Sequence, residues 1–136
     1  MRYLLDVNAL VALCVTSHEF YDRMLKWMAR ANHAQKCKFL TCSITEIGLL
    51  RTMVLAPAYN FMIADGKDAL ARLKSTKGFD FEFVSDGVGI AELPSWVRGG
   101  KQITDGHLLN LARAHSAVLA TLDEARRGAY LIPGSH

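Results

Sequence analysis

Tyr3-Leu4-Leu5 is an apolar run that stops at a carboxylate, Asp6, with an amide, Asn8, two residues further on. A run this short and apolar reads as a strand buried on both faces. Asn8-Ala9-Leu10-Val11-Ala12-Leu13 then carries the apolar density and N-terminal Asn of a helix start. Asp6 is therefore expected at the carboxyl end of a first parallel strand. Ligands of open α/β sheets bind at that edge, where the loops diverge and helix N-termini point into the crevice.

Further along, the helix from Asn8 ends near Val15, and a longer one opens at Ser17 or His18 and runs to about Ala34. Phe20, Met24, Trp27, Met28 and Ala31 form its apolar side, widened by Tyr21 and Leu25. That face suits core packing or a partner surface. Lys38-Phe39-Leu40-Thr41-Cys42 reads as a second strand, and Ser43-Ile44-Thr45-Glu46 leads into the apolar helix of Ile47, Leu49, Leu50, Met53 and Val54. Ser43 and Glu46 match an S-x-x-E capping box, so Glu46 has a purely structural reading beside a functional one.

Ala56-Pro57-Ala58 breaks that helix. Asp65 or Gly66 opens the next, with Ala69, Leu70 and Leu73 inward and a basic outer face. Phe79 to Val84 alternates with period two, as a strand near a sheet edge does, and its Asp80 and Glu82 are expected to face solvent. Asp80, Glu82 and Asp86 are the competing carboxylates. Pro94 to Lys101 reads as a mobile or ligand-facing loop. Thr104 is a plausible N-cap for the helix of Leu108, Leu109, Leu111 and Ala112, with Asp105 in its first turn, where the helix dipole alone would favour an acid. Ala117 to Leu122 is a buried strand ending at Asp123; Glu124 to Arg127 makes a basic turn, Tyr130-Leu131-Ile132 a last strand, and Pro133 to His136 a frayed end.

Strands and helices in alternation imply a three-layer α/β/α fold around a mainly parallel sheet. Asp6 and Asp123 then lie at carboxyl ends of strands, and Glu46 and Asp105 in first turns of helices entered from the same edge. Four carboxylates at one edge stay ionised together only if a cation neutralises them, and an all-oxygen set selects Mg²⁺ or Mn²⁺ over zinc. Metal-assisted phosphodiester hydrolysis, leaving a 5′-phosphate, is the chemistry such a site performs.

Composition narrows the setting. A chain of 136 residues, 51% hydrophobic, suits one domain over residues 1–136. No apolar run approaches the roughly 20 residues of a membrane span, and the N-terminus lacks signal-peptide features, so a cytoplasmic protein is expected. Cys14, Cys37 and Cys42 are odd in number and irregularly spaced, which argues for reduced thiols rather than disulfides or a zinc site. The net charge is only +3; setting four acids aside against a metal leaves the other side chains at +7, which favours a nucleic-acid partner. Lys101, Arg126 and Arg127 are the candidates for an RNA backbone, each also readable as an ordinary surface charge.

The chain resembles the PIN-domain ribonucleases, particularly the small VapC-type toxins of toxin–antitoxin pairs, over nearly its whole length. The resemblance rests on Leu5-Asp6-Val7-Asn8, Thr45-Glu46 with Arg51 following, Ile103-Thr104-Asp105-Gly106-His107-Leu108-Leu109-Asn110-Leu111-Ala112, and Leu119-Ala120-Thr121-Leu122-Asp123. It implies a PIN-like fold, with Asp6, Glu46, Asp105 and Asp123 as an acidic quartet for Mg²⁺ or Mn²⁺ and Asn8 and Thr104 as polar supports at the metal and scissile phosphate. It also implies an RNA substrate, a homodimer, and a small antitoxin whose tail blocks the groove. The chain departs from the family after its last Asp: many relatives continue as Asp-x-x-Phe, whereas here Asp123-Glu124-Ala125-Arg126-Arg127 follows, and Glu124 competes with Asp123 as a ligand.

Other α/β enzymes fit less well. A haloacid-dehalogenase-like phosphatase needs a second Asp as general acid where this chain has Asn8, and an amide cannot transfer that proton. A receiver domain needs paired acids after the first strand and a later lysine. The alternative from another class is a catalytically silent PIN-like module that binds RNA or a protein.

Overall fold

The computed structural model describes residues 1–126 and 128–134. Arg127, read above as an RNA contact, and Ser135 and His136 of the expected frayed end lie outside them. Five strands, β1 (Arg2–Leu5), β2 (Lys38–Thr41), β3 (Asp80–Phe83), β4 (Val118–Thr121) and β5 (Tyr130–Leu131), form one sheet in the order β3-β2-β1-β4-β5. Every pairing is parallel. The helices are α1 (Val7–Cys14), α2 (Tyr21–Ala34), α3 (Ser43–Leu55), α4 (Ile63–Lys74) and α5 (Ile103–Ala114), with single 3₁₀ turns at Ile90–Glu92 and Gly100–Gln102.

Side-chain alternation along the strands divides the core into two layers. Tyr3, Leu5 and Phe39 face one side, where Leu10, Met24, Trp27, Leu49, Met53 and Leu73 from α1 to α4 cover them. Leu4, Leu40 and Leu119 face the other side, against Leu108, Leu109, Leu111 and Ala112 of α5. The result is the expected three-layer α/β/α arrangement. Tyr3 meets Trp27 edge-on with ring centroids 5.0 Å apart, and Trp27 meets Phe39 at 5.8 Å. These contacts tie α2 to the two central strands.

Several element starts differ from the sequence reading. α1 opens at Val7 because Asp6, not Asn8, is its N-cap: Asp6 accepts a hydrogen bond from the Val7 N–H. α2 opens at Tyr21, since residues 18–20 close a turn in which the Phe20 N–H donates to His18 Nδ1 at 3.0 Å. α4 opens at Ile63, with Asp65 in its first turn accepting from the Met62 N–H at 2.8 Å. α5 opens at Ile103 with Gln102 as N-cap, so Thr104 lies within the first turn and caps nothing.

The loop at Pro94 to Lys101 is half-buried at Pro94, Trp96 and Val97 and exposed at Ser95 and from Arg98 to Lys101. It folds onto the start of α5, where a Cβ added to Gly106 would lie 2.5 Å from Val97 Cγ2, so a glycine permits the close approach. Of the competing acids, Asp80 is exposed as expected, and the other two are engaged elsewhere. Glu82 pairs with Arg2 at 2.9 Å and Lys38 at 3.2 Å instead of facing solvent freely, and Asp86 contacts His107 and accepts from the Val88 N–H. The three cysteines are free thiols, and burial pushes that of Cys14 up to about 12 against the opposing charge of Arg72.

Candidate active site

With β1 central and its two neighbours reached by crossovers to opposite sides, the sheet has a switch point between β1 and β4. Such a point opens a crevice at the carboxyl edge. Asp6 sits in it, fully buried, its backbone N–H donating to Ala120 O at 2.9 Å. Both carboxylate oxygens are committed: Oδ1 accepts from the Val7 N–H at 2.8 Å, and Oδ2 accepts from Thr121 Oγ1, also at 2.8 Å. Asn8 supports the same spot. Its Nδ2 donates to Thr121 Oγ1 at 3.1 Å and its Oδ1 accepts from the Leu122 N–H at 3.0 Å, fastening α1 to the end of β4.

The parallel strands β4 and β5 are joined through a short connection whose described residues, 122–126, 128 and 129, hold no helix, although parallel strands are usually joined through one. β5 starts level with Ala120, so the chain need not run back the length of the sheet before pairing again. Asp123 Oδ1 accepts from the Ala125 N–H at 2.9 Å and turns the chain. Gly128 completes the turn at φ +75°, close under Leu109. This geometry sends Arg126 back over the crevice.

Arg126 is the centre of the acid cluster. Its guanidinium contacts Asp105 Oδ1, its Nε lies 3.0 Å from Asp6 Oδ2, and Asp123 Oδ2 is 3.6 Å away. The Nε–H is buried and forms no directed hydrogen bond, so its approach to Asp6 is ionic in character. Three carboxylates thus converge on one cationic group, and one positive charge meets three negative ones. The candidate RNA contact Arg126 is an internal counter-ion here. Glu124 is exposed and joins no ion pair among the described residues.

Glu46 stands apart from this triplet. The capping box of α3 uses Thr45, whose Oγ1 accepts from the Cys42 N–H at 3.0 Å, rather than the expected Ser43 and Glu46. Freed of capping, Glu46 accepts from Thr41 Oγ1 at 2.6 Å and pairs with Lys74 at 2.5 Å. Thr41 and Thr121 are residues that the sequence reading passes over. Each is a buried hydroxyl at the last position of a strand, directly after buried apolar residues, and each donates to an edge carboxylate. A threonine ending a buried strand beside a candidate acid is the signal that finds them. Thr104 is exposed, as is Lys101 on the turn before α5.

Among the described residues, no group of three or more His, Cys, Asp and Glu side chains is arranged to hold a metal ion. The donor chemistry nevertheless suits a hard cation. Every group is a carboxylate oxygen, the central one lies in a water-poor crevice, and the cluster already gathers around a positive charge.

The chain is 39% identical over 126 residues to Ribonuclease VapC38 of Mycobacterium tuberculosis (strain ATCC 25618 / H37Rv), covering 88% of this chain and 84% of that protein. It is 34% identical over 124 residues to Ribonuclease VapC29 of the same strain, covering 90% and 86%. The chain belongs to the VapC ribonuclease family. No protein-family model matches it. Among solved structures, VapBC2 from Rickettsia felis bound to a DNA fragment from their promoter aligns with a TM-score of 0.59 at 16% identity, over 96% of this chain and 97% of that one. A domain of a functionally unknown protein from Methanocaldococcus jannaschii DSM 2661 aligns at 0.56 and 12% identity, over 99% and 93%. These two likenesses are of fold, and they agree with the PIN-like reading of this VapC-family chain.

Proposed function

We propose that this chain is a Mg²⁺- or Mn²⁺-dependent endoribonuclease, a single PIN domain acting as the toxin of a type II toxin–antitoxin module. The observation that carries the reading is the convergence of Asp6, Asp105 and Asp123 on one cation position at the carboxyl edge of the sheet. The relatives named ribonucleases support it. Asp6, Asp105 and Asp123 would hold the metal, with Glu46, now paired with Lys74, as the fourth carboxylate of the set. The metal, when bound, supplies Lewis-acid activation of water and neutralises charge developing on the scissile phosphate.

The chain's own groups do the rest. Thr121 and the Val7 N–H fix both oxygens of Asp6, so its carboxylate is held in one orientation before any substrate arrives. Asn8 locks the end of β4 beneath it. With a cation in its place among the acids, Arg126 would pair with a phosphate of the RNA backbone through its forked donors, as would Lys101 and Arg127.

The partners on this reading are an RNA substrate, a small antitoxin and a second copy of the chain, and the compartment is the cytoplasm. VapBC2 of Rickettsia felis, a fold neighbour, supports the antitoxin. No helix among the described residues is long and apolar enough to cross a membrane.

Asp6→Asn tests the reading. The amide keeps an oxygen for the Val7 N–H, so the helix cap and the fold survive, while the central charge is lost. RNA cleavage in Mg²⁺ or Mn²⁺ should disappear; full cleavage by this variant under matched metal would sink the assignment. The silent-module reading draws on Arg126 occupying the cation position, and it expects Arg126 to stay there whatever metal is offered.

A further inference from the structure

Beside the acid cluster lies a cleft of about 470 Å³, lined among others by Asn8, Asp123 and Arg126 and by His18, Glu19, Phe20 and Tyr59. We propose that this cleft is a guanine-selective subsite for the nucleotide next to the scissile phosphate. The proposal rests on the nuclease reading above and adds which base is read and by what.

Its wall chemistry selects the occupant. Phe20 and Tyr59 offer ring surfaces of the kind on which single-stranded bases stack. Phe20 is already braced, because the Arg23 guanidinium lies 5.1 Å from its ring centroid and Arg23 is itself bonded to the Ile132 carbonyl. Two carboxylates, Glu19 and Asp123, line the same space, and the arginine beside them, Arg126, is engaged by Asp6, Asp105 and Asp123, so the part of the cleft at Glu19 suits an uncharged ring rather than a phosphate. Because Asn8 and Asp123 belong to both the cleft and the cluster, a base seated here is adjacent to a phosphate at the three aspartates.

The hydrogen-bonding edge narrows the choice. His18 Nδ1 is used as an acceptor by the Phe20 N–H at 3.0 Å, which leaves Nε2–H as the ring's free donor. Glu19 supplies two acceptor oxygens. Guanine alone among the four bases presents two adjacent donors, N1–H and the 2-amino group, to match a carboxylate bidentately, with O6 beside them to accept from an imidazole N–H. Adenine and cytosine offer one amino group each, and uracil a single ring N–H.

Metal-free protein is titrated with guanosine, inosine, adenosine, cytidine and uridine 5′-monophosphates, and the ring resonances of His18, Phe20 and Tyr59 are followed by NMR. The guanosine nucleotide should saturate them at about tenfold lower concentration than inosine, which lacks only the 2-amino donor, as one hydrogen bond to a charged group is lost. Glu19→Gln, an exposed substitution that leaves the fold intact, should erase that difference. Equal affinities, unmoved rings, or a difference that survives Glu19→Gln overturns the proposal. Tighter occupation of the same rings by N-acetyltryptophanamide overturns it in favour of a protein side chain. A parallel arm cleaves oligoribonucleotides carrying guanine or inosine beside the cut bond in Mn²⁺. Cleavage indifferent to guanine rejects the subsite and leaves the nuclease reading standing. Guanine-selective binding with no cleavage of any RNA supports the subsite and rejects the nuclease.

Discussion

Arg126 Nε lies 3.0 Å from Asp6 Oδ2, so the most buried acid of the candidate site is answered by a cation from its own chain. A guanidinium and a divalent metal cannot both stand among Asp6, Asp105 and Asp123. Arg126→Gln should therefore act in opposite directions on the metal-free and metal-bound protein. Without metal, three carboxylates lose their counter-charge; breaking such a pair costs about 2 kcal/mol, below the fully buried case because Asp105 and Asp123 are partly exposed. With Mn²⁺ no arginine need be displaced, so the ion should bind more tightly and raise the melting temperature further than in the parent chain. Calorimetric titration and melting curves with and without Mn²⁺ measure both effects. Identical metal-induced shifts in the two proteins would show that Arg126 does not compete.

Thr121→Val removes the hydroxyl that donates to Asp6 while keeping the shape of the side chain. The buried carboxylate oxygen then lacks its donor, and Asp123 N–H and Asn8 Nδ2 lose an acceptor at the same atom. A loss of about 1–3 kcal/mol is expected from urea unfolding, with a fall in RNA cleavage beyond what the stability loss explains. Thr121→Ser should restore most of both. A valine variant as active as the parent would separate Thr121 from the site.

The edge acids are legible in the sequence because short apolar runs mark buried strands whatever the tertiary context, and Asp6 and Asp123 each end one. The parallel order follows from the same alternation of strands and helices. Helix starts are less legible, since several residues compete to cap each one. Ser43 and Glu46 satisfy the pattern of a capping box, yet Thr45 wins the role, and only the folded backbone decides between neighbours. The ion pairs are hidden for a different reason. Arg126 meets Asp6 across 120 residues of chain and Lys74 meets Glu46 across 28, and no local period encodes such encounters. Glu46 remains apart from the three aspartates, held by Lys74 rather than gathered with them.

Gly128→Ala tests whether the loop that delivers Arg126 depends on a left-handed residue. At φ +75° an added Cβ is strained by the backbone, and it would also come within 3.0 Å of Leu109 Cδ2. A destabilisation of about 1–2 kcal/mol is expected, together with weakened pairing between Arg126 and the acids. The second effect should appear as tighter Mn²⁺ binding, in the same direction as Arg126→Gln. Stability and metal affinity both unchanged would mean that the loop holds its course without the glycine.

Glu82 gives the fold an acid-sensitive edge. Hydrogen bonds from Arg2 and then Lys38, helped by their charges and only partly offset by burial, lower its carboxyl from the ordinary 4.5 to about 2. These bonds tie β3 to its neighbour β2 and, through Arg2, to β1 beyond. A carboxylate with a depressed folded-state pKa contributes stability that is fully present above its unfolded pKa and is lost as the pH falls through the folded one. The window is therefore pH 4.5 down to about 2. In denaturant unfolding followed against pH, the difference between the parent and Glu82→Gln should be constant above pH 5, shrink through that window and vanish near its lower end. Because Glu82 is held by Arg2 and Lys38 and shares no ion pair with Asp6, Asp105 or Asp123, RNA cleavage at neutral pH should be unaltered. A stability difference that persists undiminished at pH 2 would show that the glutamate acts through packing rather than through its charge.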